Sequence, residues 1–92
     1  MSDEVVVDCT PSGAGWTCHV TVRGTSATTT HEVTVGAVDL GRLDPDAPDP
    51  TDLVGRSFAF LLEREPNTSI LRRFDVTIIG GYFPDWERSI RG

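Results

Sequence analysis

Two cysteines and a histidine, Cys9, Cys18 and His31, are the residues of this chain whose types could do chemistry together. Two thiolates and an imidazole make a metal-ligand set, and zinc held by them needs a fourth ligand or a water. Their spacing contains neither a Cys-x-x-Cys unit nor a second cysteine pair, so it matches no recognised zinc pattern. The same cysteines can instead form a cross-strand disulfide, which a reducing cytoplasm disfavours. The reading that asks least is two reduced thiols in the core with the histidine at the core's edge. It ranks first, a disulfide or redox-active pair second, and a metal site third.

Other arrangements fail on geometry. Cys18 and His19 adjoin in the order of a nucleophile and its base, but strand neighbours point to opposite faces and cannot touch. His19 fits better opposite Glu32, as an exposed cross-strand pair worth about a few tenths of a kcal/mol. Asp44, Asp46, Asp49 and Asp52 invite calcium, yet Pro45, Pro48 and Pro50 interrupt the spacing and no late bidentate Glu follows. Gly13-Ala14-Gly15 precedes a strand rather than a helix, so it is no phosphate loop. Glu63 and Glu65 lie two apart on a helix and diverge. No convergent catalytic set remains, and the expectation is a protein that is not an enzyme and carries no cofactor.

The elements that must position these residues follow from hydrophobic periodicity. Residues 16–23 and 28–35 alternate apolar and polar side chains and are rich in β-branched ones. With Gly24-Thr25-Ser26-Ala27 as the turn, Val22 faces Thr29, Val20 faces His31, Cys18 faces Val33 and Trp16 faces Val35. A slip of one residue would set the apolar side of one strand against the polar side of the other. Residues 5–9 add a strand, and a loop at residues 12–15 then sets Cys9 opposite Cys18, Val7 opposite Val20 and Val5 opposite Val22. This three-stranded meander needs a cover on its apolar face.

Residues 36–49 read as an acidic connector with glycines and prolines. Asp49 as N-cap and Pro50 at the first helical position open a helix with Leu53, Val54, Phe58, Leu61 and Leu62 on one stripe, while Phe60 falls outside it. Pro66 stops that helix, and residues 67–69 cap a shorter one running through Ile70, Leu71 and Phe74. Residues 74–83 fit a strand or a helix, with helix favoured. A last turn from Pro84 turns Trp86 and Ile90 inward.

Of the fourteen acidic and eight basic residues, nine acids and only Arg23 and Arg42 fall within residues 1–55. An acidic front half repels phosphate backbones, and Arg72-Arg73 is too small a patch to reverse that, so no nucleic-acid partner is expected. No apolar run approaches the ~20 residues of a membrane helix, and no membrane partner is expected either. The acidic Met1-Ser2-Asp3-Glu4 start lacks the basic flank of a secretory signal, which makes a cytoplasmic location the expectation.

Phe60-Leu61-Leu62-Glu63-Arg64-Glu65-Pro66, Ser69-Ile70-Leu71-Arg72, Phe74-Asp75 and Tyr82-Phe83-Pro84-Asp85-Trp86 together give the C-terminal third a particular look. It resembles a family of small uncharacterised bacterial proteins from high-GC genomes, with the 16–35 hairpin sharing the likeness weakly. No activity is assigned to that family, so the resemblance implies a stand-alone bacterial cytoplasmic domain and no catalytic residue.

The expected fold is α+β: one domain over residues 1–92, with about three antiparallel strands in residues 4–35, the connector at 36–49, and a main helix and helical C-terminal tail in 50–92. The expected function is a non-catalytic protein-interaction module that binds a protein partner or a second copy of itself. Tyr82, Phe83 and Trp86 form an aromatic group larger than a core of this size obviously needs, and exposed aromatics serve as anchors; core packing is the plainer alternative. The Thr28-Thr29-Thr30 edge is a further place for an added strand. The competing function is a small ligand- or metal-binding protein that uses Cys9, Cys18 and His31.

Overall fold

Gly13 turns the chain back with φ 57°, a left-handed value that glycine adopts without a Cβ clash. In the computed structural model, which describes residues 3–91, that turn joins β1 (Glu4–Ser12) to β2 (Gly15–Arg23) in an antiparallel pair. A second hairpin brings β3 (Thr28–Gly36) alongside β2. Both registers are those the alternation demands: Cys9 lies opposite Cys18, Val7 opposite Val20, Val20 opposite His31 and Cys18 opposite Val33. Gly15 is required where the hairpin meets the end of β3, since a Cβ there would lie 2.8 Å from the Gly36 Cα.

The sheet has a fourth strand. β4 (Arg73–Asp75) pairs with β3 in parallel, setting Val33 beside Phe74 and completing the order β1-β2-β3-β4. The fold is therefore α+β with a mixed sheet, not a purely antiparallel meander. A parallel neighbour requires a long crossover, and the residues between β3 and β4 supply it. The segment read as a capped second helix is instead one 3-10 turn (Asn67–Ser69) followed by extended chain.

The crossover also corrects the connector. Its first half is a helix, α1 (Ala37–Leu43), which buries Leu40 and Leu43 and leaves Val38 in solvent. Helix α2 (Thr51–Leu62) begins one residue later than the capping signal predicts: Pro50 takes the N-cap position without a side-chain cap, and Asp49, just outside the helix, accepts the Thr51 N–H at Oδ1 over 2.9 Å in a local turn. It lays Leu53, Val54, Phe58 and Leu61 on the sheet's apolar face. Phe60, off that stripe, meets Phe83 edge to face at 5.7 Å between ring centres, with the Arg64 guanidinium 3.6 Å above its ring.

Residues 74–83 divide between the two alternatives. Phe74 and Asp75 belong to β4, and α3 (Ile78–Tyr82) follows at once. Asp75 makes the corner, its Oδ1 accepting the Thr77 N–H at 3.1 Å and the Thr77 hydroxyl at 2.7 Å. Helix α4 (Trp86–Arg91) then buries Trp86 and Ile90, one turn apart, against α2. Strands β2, β3 and β4 and all four helices contribute to one hydrophobic core, with β1 packed on it through Val5, Val7 and Cys9.

Candidate functional site

Cys9 and Cys18 stand opposite each other on β1 and β2, and the structure joins them by a disulfide. This overturns the first-ranked reading of two reduced thiols. The register is the physical reason: directly opposed cysteines on adjacent strands bring their Cβ atoms within bonding reach. Both sulfurs are consumed by that bond, so neither can serve as a thiolate ligand.

His31 is withdrawn from the same proposal by its own partners. The residue is 3% exposed. Its Nδ1 lies 2.7 Å from the Leu71 carbonyl oxygen, and its Nε2 lies 2.8 Å from the Thr29 hydroxyl. A carbonyl only accepts, so a neutral ring carries its proton on Nδ1 and accepts the Thr29 O–H at Nε2. Thr29 Oγ1 in turn accepts an N–H of Asn67 at 3.1 Å. A second reach of the Asn67 amide, to the Ala27 carbonyl at 3.0 Å, ties this chain to the β2–β3 turn. The chain thus binds the turn, β3 and the approach to β4 together. It is a structural joint, with the Phe58 ring packed 5.3 Å from the imidazole. Among the described residues no group of three or more His, Cys, Asp or Glu side chains is gathered to hold a metal ion.

The aromatic group splits in two. Trp86 is 0% exposed, and its indole N–H donates to Ser57 Oγ at 3.0 Å, so it is a core residue and not an anchor offered to a partner. Phe83 is partly buried against Phe60. Tyr82 is 70% exposed, and it does not stand alone. Leu71 at 50% and Ile78 at 43% are exposed as well, and all three line one open cavity of about 250 Å³.

That cavity is the candidate site. Leu61 and Glu65 enter it from the end of α2, Ser69, Ile70 and Leu71 from the 3-10 turn and the chain beyond, Phe74 from β4, and Ile78, Ile79, Tyr82 and Phe83 from α3 and its exit. On α3, Ile78 and Tyr82 are four residues apart and share a side, while Ile79 turns into the core. Gly80 lets α3 approach Trp86, because a Cβ there would sit 3.3 Å from the indole Cε3. Glu65 carries the only charge among the residues that line the cavity, which is otherwise apolar except for Ser69 and the Tyr82 hydroxyl.

The sequence missed Leu71 and Ile78 as site residues. One signal for Ile78 was available. On a helix as short as α3, Ile78 and Ile79 cannot both face one core, so one of them must face outward. Leu71 carries no such signal, because its exposure follows from the chain running extended after the 3-10 turn.

The remaining candidates are structural or peripheral. His19 Nε2 lies 3.7 Å from Glu32 Oε1, an exposed cross-strand pair as expected, with Arg73 Nε 3.5 Å from the other Glu32 oxygen. Asp44 and Asp52 are held by Arg56, at 2.7 and 2.9 Å. The Asp49 carboxyl is held below the usual range by the hydrogen bonds it accepts from Thr51. For Asp75, partial burial pushes the carboxyl up, but the hydrogen bonds from Thr77 and Thr34 together outweigh it and leave the group below its ordinary value.

Among the described residues no helix is long and apolar enough to cross a membrane. Comparison with protein-family models, with curated proteins and with solved structures finds no match for this chain.

Proposed function

We propose that this protein is a non-catalytic interaction module whose cavity between α2, β4 and α3 takes an apolar side chain of a protein partner. One observation carries the proposal: Leu71, Ile78 and Tyr82 stay exposed around a single concavity whose floor is Ile70, Phe74, Ile79 and Phe83. A small domain that leaves three large side chains partly exposed around one hollow forgoes part of the hydrophobic stabilisation their full burial would bring, and contiguous exposed apolar surface marks interaction sites. The hollow is shallow and has few convergent polar groups, features that suit one anchoring side chain of a protein better than a buried small molecule.

The disulfide supports a second element of this reading. Bridges persist in oxidising compartments and are rare in the cytoplasm, so we infer an oxidising setting in place of the cytoplasmic one. The ligand- or metal-binding alternative built on Cys9, Cys18 and His31 has lost its donor atoms to the disulfide and to Thr29 and Leu71.

Affinity capture from the native source, run in parallel with the wild type and Ile78→Asp, tests the proposal. The expected result is a partner retained by the wild type and lost with the variant. The same proteins retained by both would overturn it. Light scattering on the same pair shows whether the partner is a second copy: a wild-type dimer that I78D dissolves assigns the cavity to self-association.

A further inference from the structure

The opposite edge of the sheet carries a second, chemically distinct surface. β1 is a nine-residue edge strand, and nothing in the sheet order lies beyond it. Its disulfide fixes which backbone groups point outward. Cys9 and Cys18 approach to 3.9 Å between Cα atoms, the close spacing of a pair without mutual backbone hydrogen bonds. Alternation along β1 then turns the N–H and C=O groups of Val5, Val7 and Cys9 away from β2. Among the described residues no hydrogen bond from a loop, helix or side chain reaches them. Pro11, which has no N–H to offer, falls at the next outward position and marks where the open run ends.

The core is also unfinished along this edge. The inward side chains of β2 and β3, among them Val20, Val22, Val33 and Val35, are buried, whereas Val5, Val7 and Cys9 are only half-buried. A wide groove runs beside them, floored by Val5, Val7, Ala47, Pro48, Gly55 and Ala59. Asp44, Asp46, Asp49 and Asp52 line the same groove, with Arg56 as the one cation among its lining residues. Arg56 is already engaged by Asp44 and Asp52. Among the described residues Asp46 and Asp49 have no cationic side chain within ion-pairing distance. The outer face of the strand adds Glu4, paired with Arg23 on β2, and Asp8, with exposed Val6 between them.

We infer that the open edge of β1 takes up an extended basic peptide segment, which adds a strand to the sheet and lays cationic side chains against Asp46 and Asp49. The backbone of Val5, Val7 and Cys9 supplies strand-addition hydrogen bonds. Alternate side chains of the added strand complete the cover over Val5 and Val7 on one face. Charge selects the occupant. A second copy of this chain at the same edge would bring one acidic edge against another, and that like-charge repulsion disfavours it. The same carboxylates keep the bare edge from pairing at random and admit a cationic strand.

The test uses two synthetic nine-residue peptides, one alternating arginine with valine and one alternating glutamate with valine, added to the disulfide-bonded protein. Amide hydrogen exchange at Val5, Val7 and Cys9 is followed by NMR. The arginine peptide is expected to slow exchange at these three amides in a saturable, salt-sensitive way, while the glutamate peptide leaves them unchanged. Asp46→Asn combined with Asp49→Asn should weaken the arginine peptide by about two- to tenfold, with the protein's own spectrum otherwise retained. Val7→Pro removes an outward N–H that β2 does not use and should abolish protection, and Tyr82→Ala should leave it intact. No protection by the arginine peptide, equal protection by both peptides, or slowed exchange at these amides with rising protein concentration alone would overturn the inference. The Tyr82→Ala arm keeps this result separate from the fate of the α3 cavity.

Discussion

The indole N–H of Trp86 donates to Ser57 Oγ at 3.0 Å, and the Ser57 hydroxyl donates onward to the Leu53 carbonyl at 2.8 Å. This buried relay locks α4 onto α2 and removes the largest aromatic of the C-terminal segment from any exposed surface. Tyr82, Ile78 and Leu71, by contrast, stay exposed. Ser57→Ala would strand the indole N–H without an acceptor and should destabilise the fold by about 1–3 kcal/mol. Urea unfolding followed by tryptophan fluorescence measures this. Ser57→Thr, which keeps the hydroxyl, separates the hydrogen bond from packing.

The disulfide spans a sequence separation of nine residues. Closing a loop of that size restricts the unfolded chain and stabilises the folded one by about 2–3 kcal/mol in the chain-entropy description. Reduction, or Cys9→Ser with Cys18→Ser, should lower the denaturation midpoint accordingly. Mass spectrometry of alkylated native protein should find no reactive thiol until a reductant is added.

The His31 joint makes a different prediction. Thr29→Val keeps the shape of the side chain but removes both the O–H that His31 Nε2 accepts and the oxygen that the Asn67 amide donates to. Two buried polar groups lose a partner together, so the loss should be about 1–3 kcal/mol and non-additive with Asn67→Ala. A double-mutant cycle by chemical denaturation reads that coupling.

Asp75 carries the acid sensitivity of the β4–α3 corner. Its carboxyl accepts hydrogen bonds from Thr34 at 2.8 Å and from Thr77, and these hold its folded value below the ordinary 3.8. A depressed folded value means that the stabilisation is complete above the unfolded carboxylate range and is lost as the pH falls through the folded value. Stability should therefore drop more steeply below about pH 4 in the wild type than in Asp75→Asn. Denaturation midpoints at a series of pH values check the difference in slope.

The sheet register was legible because alternation in β2 and β3 admits one solution: Val20 opposite His31 and Cys9 opposite Cys18 set the apolar side chains of β1 to β3 on one face, with Val6 the exception that faces outward. Helix α2 was legible from its Asp49-Pro50 start and its apolar stripe, and α4 from Trp86 and Ile90 one turn apart. β4 was only half legible, a strand being the less favoured reading of residues 74–83, because three residues are too few to show a period and their partner is distant in sequence. Helix α1 was hidden by Gly36 and Gly41, which read as loop residues, although Leu40 and Leu43 bury one side of a short helix. Of the aromatic group picked out in the sequence, Tyr82 is exposed as expected, whereas Trp86 is fully buried with its indole N–H on Ser57. Exposure depends on which elements cover which, and no local pattern encodes that.

The central claim is that Tyr82, Ile78 and Leu71 together form a docking surface, and site-specific photo-crosslinking tests it most directly. A photoreactive phenylalanine analogue is placed at Tyr82 and, as a control, at Val38, which is at least as solvent-exposed but lines no part of the cavity. The account predicts a discrete protein adduct from position 82 that Ile78→Asp abolishes, and none of that mass from position 38. Indistinguishable adducts from both positions, or an adduct at 82 that survives I78D, would contradict it.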